Sequence, residues 1–401
     1  MAKKILIYTN HFFPEQFKIN EIVDWLAESG HNIRVVTGLP NYPSGKIFKG
    51  YHYGKRHDRR FGKNVVVNRL FLIPRGNGSY TMLILNYLSY FISSFFYTLY
   101  IAIFKKKYDF IFVHHTSPIF IAIHPAIYSI FHKTKKYLWD LDVWPETLKA
   151  IGVVKSKKFI RIIEILMKRI YSNYDAILIG SHSFENIIRK RYKGSIYYFP
   201  NWADNTIEKN KIKDSNILNI PDNKFVIMYT GNIGFAQNFS QLISTIKKSD
   251  DVHWVFIGSG RFKEQFASLI ANNNLENLVS LIDHVEVDQI PSYISKADCL
   301  FLSLKDEEIF SKTVPAKLQT YMALGKPIIA MLKGEGAGII NESKCGFVEV
   351  KNDYMNLAKI IDKVKVLSNE ELTLLGQNGK EYYFKNFSRE KRKKQLLNLF
   401  K

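Results

Sequence analysis

Residues 311–327 (SKTVPAKLQTYMALGKP) combine groups that could bind an anion. Their order predicts a loop followed by a short helix, which Thr313 caps and which ends at Gly325. The first amides of a helix have free N–H groups and favour a negative charge. Lys312 and Lys317 add two positive charges beside them. The alternative is an ordinary surface helix with solvated lysines, and the segments that precede this stretch favour the anion site.

Two glycine-containing turns in the second half of the chain support the anion hypothesis. Each follows an apolar run that is typical of a buried strand: 231–237 (GNIGFAQ) comes after 225–230, and 258–261 (GSGR) comes after 252–257. Glycine directly after a strand lets backbone amides approach a phosphate closely, although tight turns need glycine in any protein. Two such turns and two lysines at the strand ends of one predicted sheet indicate a site for a nucleotide diphosphate.

The first half opens with a βαβ pattern that places further polar groups at a strand end. The apolar run 4–9 is followed by a polar turn, an amphipathic helix that stops at Gly30, and a second strand over 31–38. Repeated units of this kind predict a doubly wound parallel sheet, in which ligands bind at the carboxyl ends of the strands. His11 and Glu15 lie in that turn, so they are candidate catalytic residues, with plain loop residues as the alternative.

Another strand-to-loop junction carries the carboxylates Asp140 and Asp142. A carboxylate at a strand end is well placed to act as a base or to bind a hydroxyl group, which makes Asp142 the third candidate catalytic residue. The Asp-x-Asp spacing could also hold a divalent cation, but no further ligands cluster nearby in the sequence. We therefore predict no metal site.

Residues 81–104 form a long segment without a charged residue, followed by three lysines. Its length suits a transmembrane helix, which needs about 20 apolar residues. Strand-like runs flank it, however, and a helix between two strands of one sheet begins and ends on the same side. The apolar stretch 119–131 also ends near lysines, and aromatic helices of this kind lie in membrane interfaces. We predict a membrane-facing surface at both segments, with buried sheet-packing helices or a true transmembrane span as alternatives.

Length and composition predict a folded chain with two domains: 401 residues, of which 46% are hydrophobic. The chain carries 57 Lys and Arg residues against 36 Asp and Glu residues, a formal net charge of +21. This predicts an anionic partner, such as nucleic acid, a phosphorylated substrate or an acidic lipid surface. The irregular basic loop 39–60 is expected to face substrate or membrane. Two cysteines without metal-binding spacing indicate a reduced, cytoplasmic protein, and we expect no cleavable signal peptide.

A set of short motifs, spread over nearly the whole chain, resembles the GT-B glycosyltransferases often called family 4. The motifs are Phe13-Pro14-Glu15, Gly30-His31, Asp142-Val143-Trp144-Pro145-Glu146, Pro200-Asn201-Trp202, Gly231-Asn232-Ile233-Gly234, and Pro315-x-Lys317 with Tyr321-Met322-Ala323-x-Gly325-x-Pro327. The chain looks most similar to the branch that adds N-acetylated deoxyamino sugars, such as N-acetyl-fucosamine, in bacterial capsule or O-antigen synthesis. The resemblance implies an α/β GT-B fold with two Rossmann-like, doubly wound parallel-sheet domains that face a cleft.

The domains implied are an acceptor-binding, membrane-associated one over 1–204 and a nucleotide-sugar-binding one over 205–385. A polar, lysine-rich stretch up to Asn223 marks the change in composition between them. A C-terminal helix within 386–401 is expected to return to the first domain. The protein is expected to be peripheral, at the cytoplasmic face of the cell membrane.

Two departures from the family pattern bear on the donor site. Many relatives carry two glutamates eight positions apart, the second of which binds the ribose, where this chain has Lys312 and Thr320. Relatives also often place Arg and Lys after the first glycine of the second domain, where this chain has Asn232 and Gln237. Positive charge for the diphosphate is therefore expected from Lys312 and Lys317. The expected donor-binding residues are Gly231, Asn232, Gly234, Gln237, Gly258, Ser259, Gly260, Arg261, Val285, Lys312, Thr313, Lys317 and Thr320.

The resulting hypothesis is transfer of an N-acetyl-L-fucosamine-type sugar from a UDP-sugar to an undecaprenyl-diphosphate-linked sugar, without a metal or another cofactor. If the reaction inverts the anomeric centre, His11, Glu15 or Asp142 is expected to take the acceptor proton. The alternatives are a GT-B transferase with another UDP-sugar donor and a non-catalytic membrane-bound scaffold. A nucleic-acid-binding protein is disfavoured, because the sequence has neither a stacking-platform motif nor a basic recognition helix.

Overall fold

The computed structural model describes residues 2–53, 61–105, 107–150, 152–209, 212, 220, 223–249 and 251–401. The chain divides into two units, Met1–Phe199 with Lys393–Lys401 and Pro200–Arg392, each built on one parallel β-sheet. The basic run at the end of the predicted loop 39–60 and most of the lysine-rich stretch before Asn223 lie outside the described residues.

The first unit alternates strands and helices along the chain. Its strands are β1 (Lys4–Thr9), β2 (Asn32–Gly38), β3 (Val65–Leu70), β4 (Phe110–His115), β5 (Lys135–Asp140), β6 (Ala176–Ile179) and β7 (Ser195–Tyr198), and its helices are α1 (Ile19–Glu28), α2 (Tyr80–Phe104), α3 (His124–Tyr128), α4 (Glu146–Ala150), α5 (Lys157–Tyr171) and α6 (Ser183–Arg189). The strand order is β3-β2-β1-β4-β5-β6-β7, with parallel pairing throughout. The winding direction reverses between β1 and β4, so their carboxyl ends form the position where doubly wound sheets bind ligands.

The last residues of the chain pack within the first unit. The Tyr137 hydroxyl donates to the carbonyl oxygen of Leu399 (3.0 Å), and the Phe400 ring lies edge-on to the rings of Phe110 and Tyr137. Phe400 is fully buried. These contacts pack Phe400 against β4 and β5, two interior strands of the sheet.

The second unit repeats the same alternation. Its strands are β8 (Phe225–Thr230), β9 (Val252–Ile257), β10 (Val279–Ile282), β11 (Cys299–Ser303), β12 (Ile328–Met331) and β13 (Gly346–Glu349), and its helices are α7 (Asn205–Glu208), α8 (Phe239–Ile246), α9 (Lys263–Asn272), α10 (Ile290–Ser295), α11 (Glu308–Ser311), α12 (Ala316–Leu324), α13 (Gly334–Ser343), α14 (Tyr354–Val364), α15 (Asn369–Asn386) and the start of α16 (Arg389–Leu399). The parallel strand order β10-β9-β8-β11-β12-β13 reverses between β8 and β11. The predicted pair of doubly wound parallel-sheet domains is therefore confirmed.

Helix α2 has a polar buried face and an apolar exposed face, the opposite of an ordinary surface helix. Every fourth residue on its buried side carries a polar group: Asn86, Tyr90, Ser94 and Thr98. Every fourth residue on its exposed side is apolar or aromatic: Ile84, Leu88, Ile92, Phe96, Tyr100 and Phe104. We call the second set the outer stripe.

Hydrogen bonds attach α2 to the sheet. The Thr98 and Tyr8 hydroxyl groups lie 2.8 Å apart, the Tyr90 hydroxyl lies 3.0 Å from the carbonyl oxygens of Thr9 and Val36, and the Asn86 amide donates to a carbonyl of the β3–α2 loop. By length and composition alone, α2 is able to cross a membrane. Its hydrogen-bonded inner face instead favours a helix that lies along the sheet, as the flanking strands predict.

The apolar stretch 119–131 differs from the predicted helix. It forms a 3-10 turn over Ile119–Ile123, and α3 then runs only over His124–Tyr128. Pro125 has no N–H group to continue an α-helix from the preceding turn. Ile130 and Phe131 follow α3 and are exposed, so the apolar surface here is a short segment after the helix.

Candidate active site

Turns that only glycine fits follow β8 and β9 in the second unit. Gly231 and Gly258 have φ values of +118° and +148°, which L side chains rarely adopt. A Cβ on Gly258 would overlap the carbonyl oxygen of Gly231, and one on Gly260 would overlap that of Ile233. The Ile233 amide donates to the carbonyl oxygen of Ser259 (2.8 Å). The two predicted turns are therefore packed backbone against backbone.

Backbone donors of these turns are available to an anion. In the described part of the chain, the amides of Asn232 and Ser259 donate to no other group, and both residues are exposed. An exposed amide is the group with which glycine-rich turns bind phosphate oxygens. Gln237 stabilises the first turn, because its side-chain oxygen accepts a hydrogen bond from the Gly234 amide (3.0 Å).

Lys317 lies directly against the first glycine turn. A Cβ on Gly231 would be 2.7 Å from the Lys317 Cε, and the Lys317 Nζ lies 5.0 Å from the centre of the Tyr229 ring. One helical turn later, the Tyr321 hydroxyl accepts from the Thr230 amide (2.9 Å). The residues Lys317 and Tyr321 share one face of α12, so this hydrogen bond holds Lys317 at the carboxyl end of β8.

No described carboxylate balances the charge of Lys317. No Asp or Glu in the described residues lies within ion-pair distance of its Nζ, and burial lowers the pKa of its ammonium to about 8. A cation held at a strand end beside free amides is the arrangement that the sequence predicted for a diphosphate site.

Three of the predicted donor-binding side chains have other partners. Lys312 forms an ion pair with Glu308 (2.6 Å), one turn before it on α11. The Thr313 hydroxyl donates to the carbonyl oxygen of Ile309 (2.8 Å), so the predicted cap of α12 is wrong and Pro315 occupies that position without a side-chain hydrogen bond. Thr320 donates to the carbonyl of the first residue of α12. The short helix α11, which was not expected, takes the place of an open loop here.

The remaining predicted donor residues lie beyond this group. Arg261 is exposed and follows the second glycine turn. Val285 follows β10, the edge strand of the sheet, which β9 separates from β8. The structure therefore brings together the glycine turns, Asn232, Ser259 and Lys317, and it places Val285 two strands away.

In the first unit, His11 and Glu15 form a buried pair just beyond β1. The His11 Nδ1 lies 2.7 Å from the Glu15 Oε2. The other carboxylate oxygen, Oε1, accepts from the backbone amides of Asn41 and Tyr42 (both 2.7 Å). Three donors therefore fix the Glu15 carboxylate, and it in turn fixes the orientation of the imidazole.

The partners of His11 define its protonation. Arg75 is only a donor, and its Nη2 lies 2.9 Å from the His11 Nε2. The Nε2 atom therefore carries the lone pair, and the proton is on Nδ1, where it is donated to Glu15. Burial, opposed by the hydrogen bond to Glu15, lowers the pKa of His11 below its usual range. A neutral imidazole with an oriented lone pair is the form that a general base requires.

Asp140 and Asp142, the two carboxylates at the carboxyl end of β5, have unlike environments. Asp140 is fully buried and accepts from the His115 ring (2.7 Å) and from the Tyr171 hydroxyl (2.6 Å), one at each oxygen. Each oxygen of Asp140 therefore already has a donor within the first unit. Asp142 is hydrogen-bonded to Ser117, and burial raises its pKa. In the described part of the chain, no group of three His, Cys, Asp or Glu side chains is arranged to hold a metal ion.

Sequence reasoning missed two residues of these clusters. Tyr229 is the last aromatic residue of β8, and an aromatic residue in an apolar strand is normally predicted to belong to the hydrophobic core. Arg75 lies in the turn between β3 and α2, far from His11 along the chain. A signal existed for Arg75: the segment Pro74-Arg75-Gly76 follows a strand of the same sheet, so its position at the carboxyl edge could have been derived.

Comparison with known proteins gives matches for both the sequence and the fold. Residues 210–382, which make up most of the second unit, match the family model described as glycosyl transferases group 1. Two parallel α/β sheets are the GT-B architecture of solved glycosyltransferases, and the expectation of a transferase enzyme is confirmed at this level.

Individual relatives cover most of the chain. The chain is 25% identical over 339 residues to the putative colanic acid biosynthesis glycosyl transferase WcaI of Escherichia coli K12, covering 80% of this chain and 81% of that protein. Its structure is similar to sucrose-phosphate synthase of Thermosynechococcus elongatus (TM-score 0.76, 15% identity, 100% of this chain and 98% of the other). It is also similar to Anabaena Alr3699/HepE, solved in complex with UDP (TM-score 0.67, 16% identity, 99% of each chain). At these identities the two structures show the fold alone.

Proposed function

We propose that this protein transfers a sugar from a UDP-sugar to a saccharide on a membrane-bound lipid diphosphate, in bacterial polysaccharide synthesis. The observation that carries the proposal is the uncompensated ammonium of Lys317, held against the turn of Gly231. The family of the second unit, the UDP bound to Alr3699/HepE and the named role of WcaI support it. We further propose a donor of the N-acetyl-L-fucosamine type and an undecaprenyl carrier, on the resemblance of the motifs.

On the donor side, the protein stabilises a leaving group. As the bond between the anomeric carbon and the β-phosphate oxygen breaks, the electron pair passes to that oxygen and UDP gains negative charge. The Lys317 ammonium and the amides of Asn232 and Ser259 are in place to stabilise this charge before the reaction begins, which is the most effective form of electrostatic catalysis.

On the acceptor side, the hydroxyl group must lose its proton as it bonds to the anomeric carbon. In an inverting reaction, His11 is the best candidate among the three predicted bases, because its Nε2 lone pair is oriented by Glu15. Glu15 itself is unsuited, since three donors occupy its carboxylate. Asp142 remains the second candidate base.

Donor class is tested by thermal unfolding with nucleotides. We expect UDP at about one hundred times its Kd to stabilise the folded protein by about 2.7 kcal/mol, and ADP and RNA to do so far less. Replacing Lys317 by methionine should remove most of the UDP effect. Equal stabilisation by ADP would reject a UDP-sugar donor, and strong stabilisation by RNA alone would favour a nucleic-acid partner.

Transfer itself is tested by mass. Incubation with a panel of UDP-amino sugars and a lipid-diphosphate-linked monosaccharide should give one product heavier by one sugar residue. UDP binding without product from any donor, including UDP-glucose and UDP-galactose, would favour the non-catalytic scaffold.

The membrane part of the proposal rests on the charge and the surface of the first unit. Residues 1–199 carry 30 Lys and Arg residues against 12 Asp and Glu residues, so they hold nearly all of the net positive charge. The same unit carries the outer stripe of α2, the exposed Ile130 and Phe131 after α3, and Phe159, Ile162 and Ile165 on α5. A basic surface with large exposed apolar groups suits an anionic bilayer.

Membrane association is tested by vesicle flotation. We expect the triple variant Leu88→Ser, Ile92→Ser, Phe96→Ser to reduce the bound fraction at least tenfold, because each large side chain contributes about 1.5–3 kcal/mol on leaving water. The matched control replaces Met355, Val366 and Leu374 of the second unit, which are also large exposed apolar residues, by serine and should float like the wild type. Parallel losses in both variants would show that the stripe is not the contact surface.

A further inference from the structure

Arg75 occupies an unusual position for a surface arginine. Its Nη2 donates to the His11 Nε2 (2.9 Å), and its guanidinium carbon lies 5.2 and 5.3 Å from the ring centres of Tyr42 and Tyr87. The Nε atom is buried and has no hydrogen-bond partner. Two aromatic rings and one imidazole thus hold the guanidinium in a defined place.

The charge of Arg75 is not balanced by any described residue of the first unit. No carboxylate of the described residues lies within ion-pair distance of it, although nearby Glu15 is buried and engaged with His11 and two backbone amides. A partly buried guanidinium with an unused N–H group is costly unless an anion binds to it. No residue that the structure describes in this unit supplies that anion.

The chemistry and location of Arg75 point to a phosphate group. A guanidinium offers paired N–H groups that match two phosphate oxygens better than an ammonium does. Arg75 lies in the turn between β3 and α2, and α2 carries the outer stripe that we assign to the membrane. A diphosphate at Arg75 would therefore have its lipid near the bilayer and its sugar near His11.

We propose that Arg75 binds the diphosphate of the lipid acceptor and, by moving onto it, releases the Nε2 of His11. This inference rests on the proposed function, since it takes the acceptor to be a lipid diphosphate. The acceptor hydroxyl then gives its proton to His11 Nε2, its oxygen bonds to the anomeric carbon, and the electron pair of the broken bond leaves with UDP. Because Arg75 contacts His11, the reacting hydroxyl belongs to the sugar that is bonded directly to the diphosphate.

Binding is measured first, because it does not depend on transfer. The probe is geranyl diphosphate, titrated into the protein with saturating UDP so that the donor site is occupied. We expect Arg75→Gln to weaken binding by about 10- to 100-fold, the effect of a hydrogen-bonded charge. Arg161→Gln, which removes an exposed arginine from α5 of the same unit, should bind the probe like the wild type.

A second variant guards against misfolding. Arg75→Lys keeps the positive charge but offers no paired N–H groups, so it should bind geranyl diphosphate at least threefold more weakly than the wild type. If Arg75→Gln does not fold, the affinity of Arg75→Lys for geranyl diphosphate tests the inference instead. Wild-type affinity in either folded variant would overturn the inference.

Kinetics separate the inference from the proposed function. With a diphosphate-linked acceptor, Arg75→Gln should raise KM strongly, whereas with the same sugar as an octyl glycoside KM should stay within threefold. Because the Arg75 charge lowers the pKa of His11, the acid limb of the octyl glycoside reaction should also move to higher pH in this variant. If no sugar is transferred but probe binding still requires Arg75, the proposed transfer fails and the lipid-diphosphate site stands.

Discussion

Replacement of Lys317 by methionine is expected to lower kcat/KM by about 100- to 1,000-fold, the usual cost of removing one preorganised group that stabilises a developing oxyanion. Methionine keeps most of the side-chain volume beside Gly231 and Tyr229, so the glycine turns should keep their arrangement. The matched control is Lys312→Met, directly after helix α11, because Lys312 already forms an ion pair with Glu308. Steady-state kinetics with the natural donor measure both, and the control should lose less than tenfold.

The Lys317→Met variant should be as stable as the wild type or more stable, although its activity falls. Burial lowers the pKa of Lys317 to about 8 in the folded protein, so holding the charge costs free energy at neutral pH. Methionine removes this cost, and the variant should unfold at the same temperature as the wild type or higher. Between about pH 8 and the ordinary lysine pKa, the unfolded chain binds a proton that the folded protein does not. The free energy of unfolding of the wild type should therefore rise with pH there relative to the variant.

UDP affinity should depend on the same proton. Below about pH 8 the ammonium is charged and is expected to bind the diphosphate, and above this pH the affinity for UDP should fall about tenfold per pH unit. Calorimetric titration of UDP from pH 6.5 to 9.5 measures the effect. Lys317→Met should bind UDP weakly and without this dependence, and a pH-independent wild type would remove Lys317 from the diphosphate site.

Glu15→Gln is expected to lower kcat by about 100- to 10,000-fold, as far as loss of general-base catalysis can reach. A glutamine can accept the two backbone amides with its oxygen only if its NH₂ group faces His11. That NH₂ donates to Nδ1 and moves the imidazole proton to Nε2, where it meets the N–H groups of Arg75. The imidazole then has no lone pair at the position where the acceptor hydroxyl must deliver its proton.

His11→Asn should show a similar loss with an unchanged far-UV spectrum, and the double variant should be no worse than either single one, since the two residues act as one unit. Glu28→Gln is the control, because Glu28 forms only an exposed ion pair with Lys393. In the wild type, kcat/KM should fall on the acid side as His11 becomes protonated. Activity of His11→Asn within threefold of the wild type would transfer the role of base to Asp142.

Local patterns in the sequence were enough to predict the strand ends and the glycine turns. Gly231 and Gly258 follow apolar runs directly, and each has a backbone conformation that glycine alone adopts with ease. His11 and Glu15 are four residues apart in one turn, so their contact is also local. These features depend on a few neighbouring residues, which a single sequence displays.

What the sequence could not reveal depends on contacts between distant segments. The hydrogen bond between His11 and Arg75 joins two loops that follow different strands, and no local pattern encodes it. Lys312 was expected at the diphosphate, whereas its pairing with Glu308 depends on the unexpected helix α11. The polar and apolar residues of α2 that recur at every fourth position are visible in the sequence. Hydrophobicity alone, however, would predict that the apolar face is buried and the polar face exposed.

The polar buried face and the apolar exposed face of α2 have a consequence for the order of folding and membrane binding. Hydrogen bonds to β1 and to neighbouring carbonyl groups hold the buried face of α2 against the sheet. The packing of the helix therefore does not require burial of the outer stripe. We therefore expect the first unit to fold in water without lipid. Rotation of α2 about its axis to bury the outer stripe would break those hydrogen bonds. The proposed binding to a bilayer would then add to a structure that is already folded, so the protein could attach and detach without unfolding.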